Sequence, residues 1–138
     1  MSELEKPILL SMSLCDLVIR DQQTHKLSLI NLFNELRAKH FPCTHPRLYV
    51  YLCLTNGRGN CEGTLSLVDI EANQVLARLS GAITFRSPLQ VVEMSFELNA
   101  LAFPHPGTYR FEFLCDGEPV GARDLHVTVA PDAPAPKA

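Results

Sequence analysis

Between Phe103 and Val129 the chain has few conformational options. Phe103-Pro-His-Pro-Gly107 sets two prolines around one residue, and each proline fixes φ and lacks the N–H a helix would need. Gly107 then permits a sharp turn. Tyr109, Phe111 and Phe113 alternate with Arg110 and Glu112, the period of two that marks a strand with one buried face. Asp116-Gly117 is a strong hairpin signal, although Glu118-Pro119 suggests a loop longer than two residues. Leu125, Val127 and Val129 form the return strand. A hairpin from Pro104 to Val129 with an aromatic inner face must be covered by another apolar layer, so the chain is expected to be a β-sandwich or barrel.

The upstream sequence agrees. Short apolar stretches recur about every ten residues with turn chemistry between them. Ile8–Leu14 and Leu17–Ile19 read as a first strand, ended by the polar turn Arg20–His25. Leu48–Leu54 is rich in β-formers and too uniformly apolar for an exposed strand, and Thr55–Asn60 supplies Asn-Gly turn chemistry. Leu65, Leu67 and Asp69 alternate against Thr64, Ser66 and Val68, then Asn73-Gln74 turns into Val75–Leu79. Val92, Met94, Phe96 and Leu98 face inward in the cleanest period-two segment. One segment conflicts: Leu29, Leu32, Phe33 and Leu36 carry the i, i+3, i+4, i+7 spacing of a helix. A strand there needs both faces buried through Ile30–Phe33, and the pattern leaves both readings open. A single domain is expected over residues 8–130, with a flexible arm at 1–7 and a disordered Pro/Ala tail at 131–138.

At 138 residues the chain has room for one core, burying roughly two-thirds of its unfolded surface without staples. The net charge of −3 and the scattered Lys and Arg residues argue against a nucleic-acid partner. No apolar run reaches bilayer length, so no membrane partner is expected. The acidic start and Asp16 do not fit a secretory leader. Cys15, Cys43, Cys53, Cys61 and Cys115 make an odd, irregularly spaced set, which suits reduced thiols in a cytoplasmic setting.

Gly107-Thr-Tyr109-Arg-Phe111 resembles the tyrosine corner of immunoglobulin-like domains, in which the Tyr hydroxyl bonds back to nearby backbone. Phe111 stands where antibody domains carry their disulfide Cys, and the chain has no Trp, so the antibody type itself is excluded. A resemblance of wider span rests on Leu14-Cys-Asp16, Lys26–Ile30 with Phe33, Phe41-Pro42, and Phe103-Pro-x-Pro-Gly-x-Tyr-x-Phe111 followed by Asp116-Gly117. These motifs resemble a family of uncharacterised bacterial proteins known as domain of unknown function sixty-nine forty-one. That resemblance implies a β-sandwich in which Lys26–Phe33 is a strand, and it carries no activity. The expected fold is therefore all-β, an immunoglobulin-like antiparallel sandwich of about seven to nine strands with Greek-key-type connections.

Candidate sites are sparse. His40, Cys43 and His45 form the one local set with metal-ligand chemistry, since imidazole and thiolate suit zinc. A fourth ligand such as His25 or His105 would have to come from elsewhere, and Pro42 and Pro46 fix the loop without a metal. No metal or cofactor is therefore expected. As a Cys–His nucleophile pair the same residues lack an orienting third group. Cys53 and Cys61 flank the Asn-Gly loop and would have to approach within about 7 Å at Cα to pair. Asp16, Asp69, Asp116 and Asp124 are too dispersed for calcium, and Gly57-Arg-Gly59 is too short to cradle phosphate. The expectation is a non-enzymatic protein-interaction module that self-associates, because Leu48–Leu54 and Leu27–Phe33 carry more apolar surface than one small core covers. The alternative is a metal- or small-ligand-binding domain built on the His40/Cys43/His45 loop.

Overall fold

A computed structural model describes residues 6–131. The strands are β1 (Ile8–Arg20), β2 (Leu27–Phe33), β3 (Glu35–Ala38), β4 (Cys43–Thr55), β5 (Gly59–Asp69), β6 (Gln74–Phe85), β7 (Val92–Phe103), β8 (Gly107–Cys115) and β9 (Glu118–Val129). They form a four-stranded sheet, β2-β1-β4-β7, and a five-stranded sheet, β3-β9-β8-β5-β6. No helix occurs among the described residues, and the protein is the all-β sandwich that its patterning implies. Consecutive strands pair as hairpins at β1/β2, β5/β6 and β8/β9; the other connections cross between sheets. The Pro/Ala tail beyond Pro131 and most of the arm expected at 1–7 lie outside the described residues.

One core joins the sheets. Met12 and Leu14 of β1, Leu48, Val50, Leu52 and Leu54 of β4, and Phe96 and Leu98 of β7 face Leu65 and Leu67 of β5, the β8 aromatics, and Leu125 and Val127 of β9. Phe96 meets Phe113 across the gap at 6.4 Å between ring centroids. Burying each such side chain contributes about 1.5–3 kcal/mol. The apolar run Leu48–Leu54 is thus a two-faced strand. Its even-numbered residues are buried, while Tyr49, Tyr51 and Cys53 lie half-buried on the outer face.

The segment with helical spacing is two strands separated by Asn34. Leu29, Phe33 and Leu36 are half-buried, whereas Ile30 and Leu32 are exposed. The 3.6-like spacing arises because the chain passes from one sheet to the other inside the repeat. Burial of both faces through Ile30–Phe33, which the strand reading required, does not occur. Because β3 continues in the direction of β2, it joins β9 as a parallel neighbour, Leu36 opposite Val127. That pairing departs from an all-antiparallel sandwich.

Two turns also differ from expectation. Thr55–Asn60 is a crossover between sheets rather than a hairpin, and there Asn56, at φ 62°, takes the left-handed conformation. Gly57 serves close packing instead: a Cβ on it would sit 2.3 Å from the Phe85 ring. The β8/β9 turn is two residues, Asp116 (φ 50°) and Gly117 (φ 81°), closed by Cys115 opposite Glu118. Positive φ at both positions is the type I′ geometry that matches strand twist. The extra length signalled by Glu118-Pro119 appears as a register shift, with Phe113 opposite Gly121 and Leu114 opposite Pro119.

The Tyr109 side chain is wholly buried, edge-on to Phe103 at 4.9 Å. Its hydroxyl donates to the His105 carbonyl at 2.6 Å. Replacing Tyr109 by Phe keeps the ring and strands a buried carbonyl, so unfolding stability should fall by about 1–3 kcal/mol. A denaturant titration checks this; an unchanged midpoint would show that the hydroxyl does not anchor the corner.

Candidate functional site

The corner between β7 and β8 carries the only fully buried carboxylate among the described residues. Asp69 ends β5 at 1% exposure. Its Oδ1 accepts from the Ala72 N–H at 3.2 Å, and its Oδ2 lies 2.8 Å from His105 Nε2. His105 Nδ1 lies 2.9 Å from the Pro106 carbonyl, which can only accept, so this nitrogen carries a proton. Both ring nitrogens thus face acceptors, and the doubly protonated imidazolium satisfies both. The Pro106 carbonyl first, then Asp69, raises the His105 pKa above its ordinary value. Stacking on Tyr109 at 5.6 Å holds the ring in place. Burial raises the Tyr109 pKa, and its hydroxyl proton is committed to the His105 carbonyl. The cluster is a clamp between the end of β5 and the β7–β8 corner, with the exposed Glu71 carboxylate 3.6 Å from His105 Nδ1 beside it.

The residues singled out in the sequence are dispersed. His40 is exposed before β4, while Cys43 and His45 occupy alternate, half-buried positions at its start, opposite Phe103 and Leu101. The His45 ring rests against Phe33 at 6.0 Å. No three His, Cys, Asp or Glu side chains among the described residues form a group able to hold a metal. Asp16 accepts from Asn31 at 3.0 Å, Asp116 from the Glu62 N–H at 2.9 Å, and Asp124 from Arg110 at 2.7 Å. Each carboxylate is occupied locally. Cys53 points outward from β4 and Cys61 inward from β5, in different sheets, so the crossover keeps them apart. All five cysteines are free thiols. Burial raises the pKa of Cys61 and pushes Cys115 up to about 12, which leaves both protonated and poorly nucleophilic.

The outer face of the four-stranded sheet is the most developed surface. Strand alternation places Tyr49 and Tyr51 there, flanked by acidic residues of β7. The Tyr49 hydroxyl donates to Glu97 at 2.7 Å, and the Tyr51 hydroxyl donates to Glu93. The Tyr49 hydrogen bond holds the Glu97 carboxyl below its usual range and raises the phenol. Burial, then the bond to Glu93, raises Tyr51 strongly. The Arg47 guanidinium lies 5.9 Å from the Tyr49 ring centroid. Register continues this row across the sheet: Glu97 opposite Tyr49, Tyr49 opposite Cys15, Cys15 opposite Leu32. Leu32 is 63% exposed, and Ile30 and Ile19 are exposed beside it. The two tyrosines pass as core in a sequence reading of Leu48–Leu54; their alternation with Leu48, Val50 and Leu52 is the signal that separates them.

The fold is a small two-sheet β-sandwich. The chain matches a family of unknown function (DUF6941) over residues 10–128 and belongs to that family. No curated protein matches it.

The His105 clamp has a pH signature. Because the folded pKa is raised above the ordinary 6.5, its stabilisation is complete below that value and is lost as pH rises through the folded pKa. Wild-type stability should therefore fall between neutral and mildly alkaline pH, and His105→Gln should flatten that slope. Denaturation midpoints across the range, with an NMR titration of the ring, check this; a ring that titrates below 6.5 contradicts the clamp.

Proposed function

We propose that the protein is a non-enzymatic interaction module that binds a protein partner through the outer face of its four-stranded sheet. One observation carries this reading: the outer face of this sheet brings Tyr49, Tyr51, Glu97 and Arg47 together with exposed Leu32, across a row in which Cys15 itself is fully buried. Tyr and Arg dominate binding hot spots because each joins a large apolar body to a polar head. Hydrogen bonds from both phenols to β7 carboxylates fix the rings in advance, reducing the rotamer entropy lost on contact. Leu32, Ile30 and Ile19 extend the surface with apolar area that the core does not use. A reduced, cytoplasmic setting fits the free thiols. The hydrogen bond from Tyr109 to the carbonyl four residues upstream supports an immunoglobulin-like assignment of the sandwich.

Tyr51→Ala and Leu32→Asp alter this face outside the buried core. Each should keep the wild-type thermal midpoint within a few degrees, and each should weaken partner binding about tenfold or more, the scale of a hot spot. Immobilised wild-type and variant proteins, compared by mass spectrometry of the polypeptides they retain, measure this. Identical retention by both variants counts against the face.

A further inference from the structure

Four strands border the sheets, and three of them are guarded against pairing with another chain. β3 is four residues long and carries Glu35 and Arg37. β2 is interrupted by Asn31 at φ 57°, whose amide is tied to Asp16. β7 presents Glu93 and Glu97, and its backbone is left-handed at Ala100 (φ 52°). Short length, charge and backbone distortion are the usual devices that keep an exposed strand edge from adding a partner.

β6 carries the least of these. It pairs with β5 without a register shift from Ala77 to Phe85, and Arg78 is its one charged residue. Leu79-Ser-Gly-Ala-Ile-Thr-Phe85 contains no charge and no proline, the composition that favours strand addition. β6 is the last strand of its sheet, and Ser80, Ala82 and Thr84 are exposed along it.

We infer that β6 is where two copies of this chain pair, edge to edge and antiparallel about Gly81, joining their five-stranded sheets into one. Gly81 is the midpoint of the unshifted stretch, so pairing about it uses the whole of Ala77–Phe85. In that register Arg78 lies opposite Thr84, Ser80 opposite Ala82, Leu79 opposite Ile83 and Ala77 opposite Phe85. No like charges meet: Arg78 faces Thr84, small Ser80 and Ala82 face each other beside Gly81, and Leu79 meets Ile83. A second copy suits the edge because the strand matches itself in length, keeps its one charge, Arg78, away from the partner's Arg78, and sets only small residues around Gly81. This contact is separate from the partner-binding face, which lies on the other sheet.

The test exploits the register. Ser80 and Ala82 are exposed on the outer side of β6, so substituting both leaves the core unchanged. In Ser80→Lys/Ala82→Lys each ammonium group faces another across the pair, where like charges directly opposite are destabilising. Sedimentation velocity at high micromolar concentration should show a wild-type dimer, and the double-lysine variant should be monomeric with an unchanged thermal midpoint. Mixing it with Ser80→Glu/Ala82→Glu should restore a mixed dimer. A monomeric wild type, a lysine variant that stays dimeric, or a failure of the mixture to associate would overturn the proposal. So would a dimer broken by Tyr51→Ala, which would move the contact to the four-stranded sheet.

Discussion

The burial of Tyr109, Phe111 and Phe113 along one side of β8 is the constraint on which most of the structure depends. β8 lies between β9 and β5, and its three aromatic side chains are wholly buried. Rings of that size take up the space that neighbouring side chains would otherwise occupy. Gly63 of β5 is opposite Cys115, and a Cβ on it would sit 2.7 Å from the Phe113 ring. The glycine is thus a consequence of the aromatic file. The facing sheet supplies aliphatic side chains at matching intervals because β4 alternates Leu48, Val50, Leu52 and Leu54 inward. Interiors pack at near-crystalline density, so the rings of β8 and the small or aliphatic residues around them depend on one another.

The aromatic file also explains why a charge can be tolerated at the core's margin. A buried carboxylate is stable only if its charge is met and its oxygens are hydrogen-bonded. Asp69 meets both conditions through the Ala72 amide and the His105 ring. The ring is in position because the Phe103–Gly107 corner turns over Tyr109, and the Tyr109 hydroxyl fastens that corner through the His105 carbonyl. Main chain and side chain of one residue therefore link the end of β5 to the start of β8. The corner is at once a packing device and an electrostatic one.

How much of this was legible follows from which interactions are local. Pro104, Pro106, Gly107 and the Tyr109/Phe111/Phe113 alternation specify turn and strand within a few residues, and the closing hairpin is readable from them. Asp116-Gly117 identifies the two-residue turn, while Glu118-Pro119, which reads locally as extra loop, is taken up as a register shift inside β9. Thr55–Asn60 has hairpin chemistry, yet β4 and β5 belong to different sheets, and that choice lies in long-range packing. Leu29–Leu36 misleads for the same reason, since a change of sheet at Asn34 imitates a helical period. Asp69 and His105 are thirty-six positions apart, so their clamp has no signature in sequence. The His40, Cys43 and His45 set shows the reverse error, because closeness in the chain did not become convergence in space.

Function depends on the positions that the core leaves free. Inward residues of each strand are determined by burial, and almost any soluble outer face would satisfy the same fold. The outer face of the four-stranded sheet nevertheless has a chemistry of its own. It sets phenols hydrogen-bonded to carboxylates at one side of the sheet and exposed Leu32 at the other. The strand edges differ in the same way. Charge or a left-handed residue disrupts β2 and β7, whereas β6 pairs without a shift from Ala77 to Phe85 and is nearly uncharged. A domain that blunts most of its edges has been shaped against indiscriminate pairing, and an edge left open within that scheme is a specific feature of the molecule. The core residues therefore account for the sandwich, while the differences among its faces and edges are left to the residues outside the core.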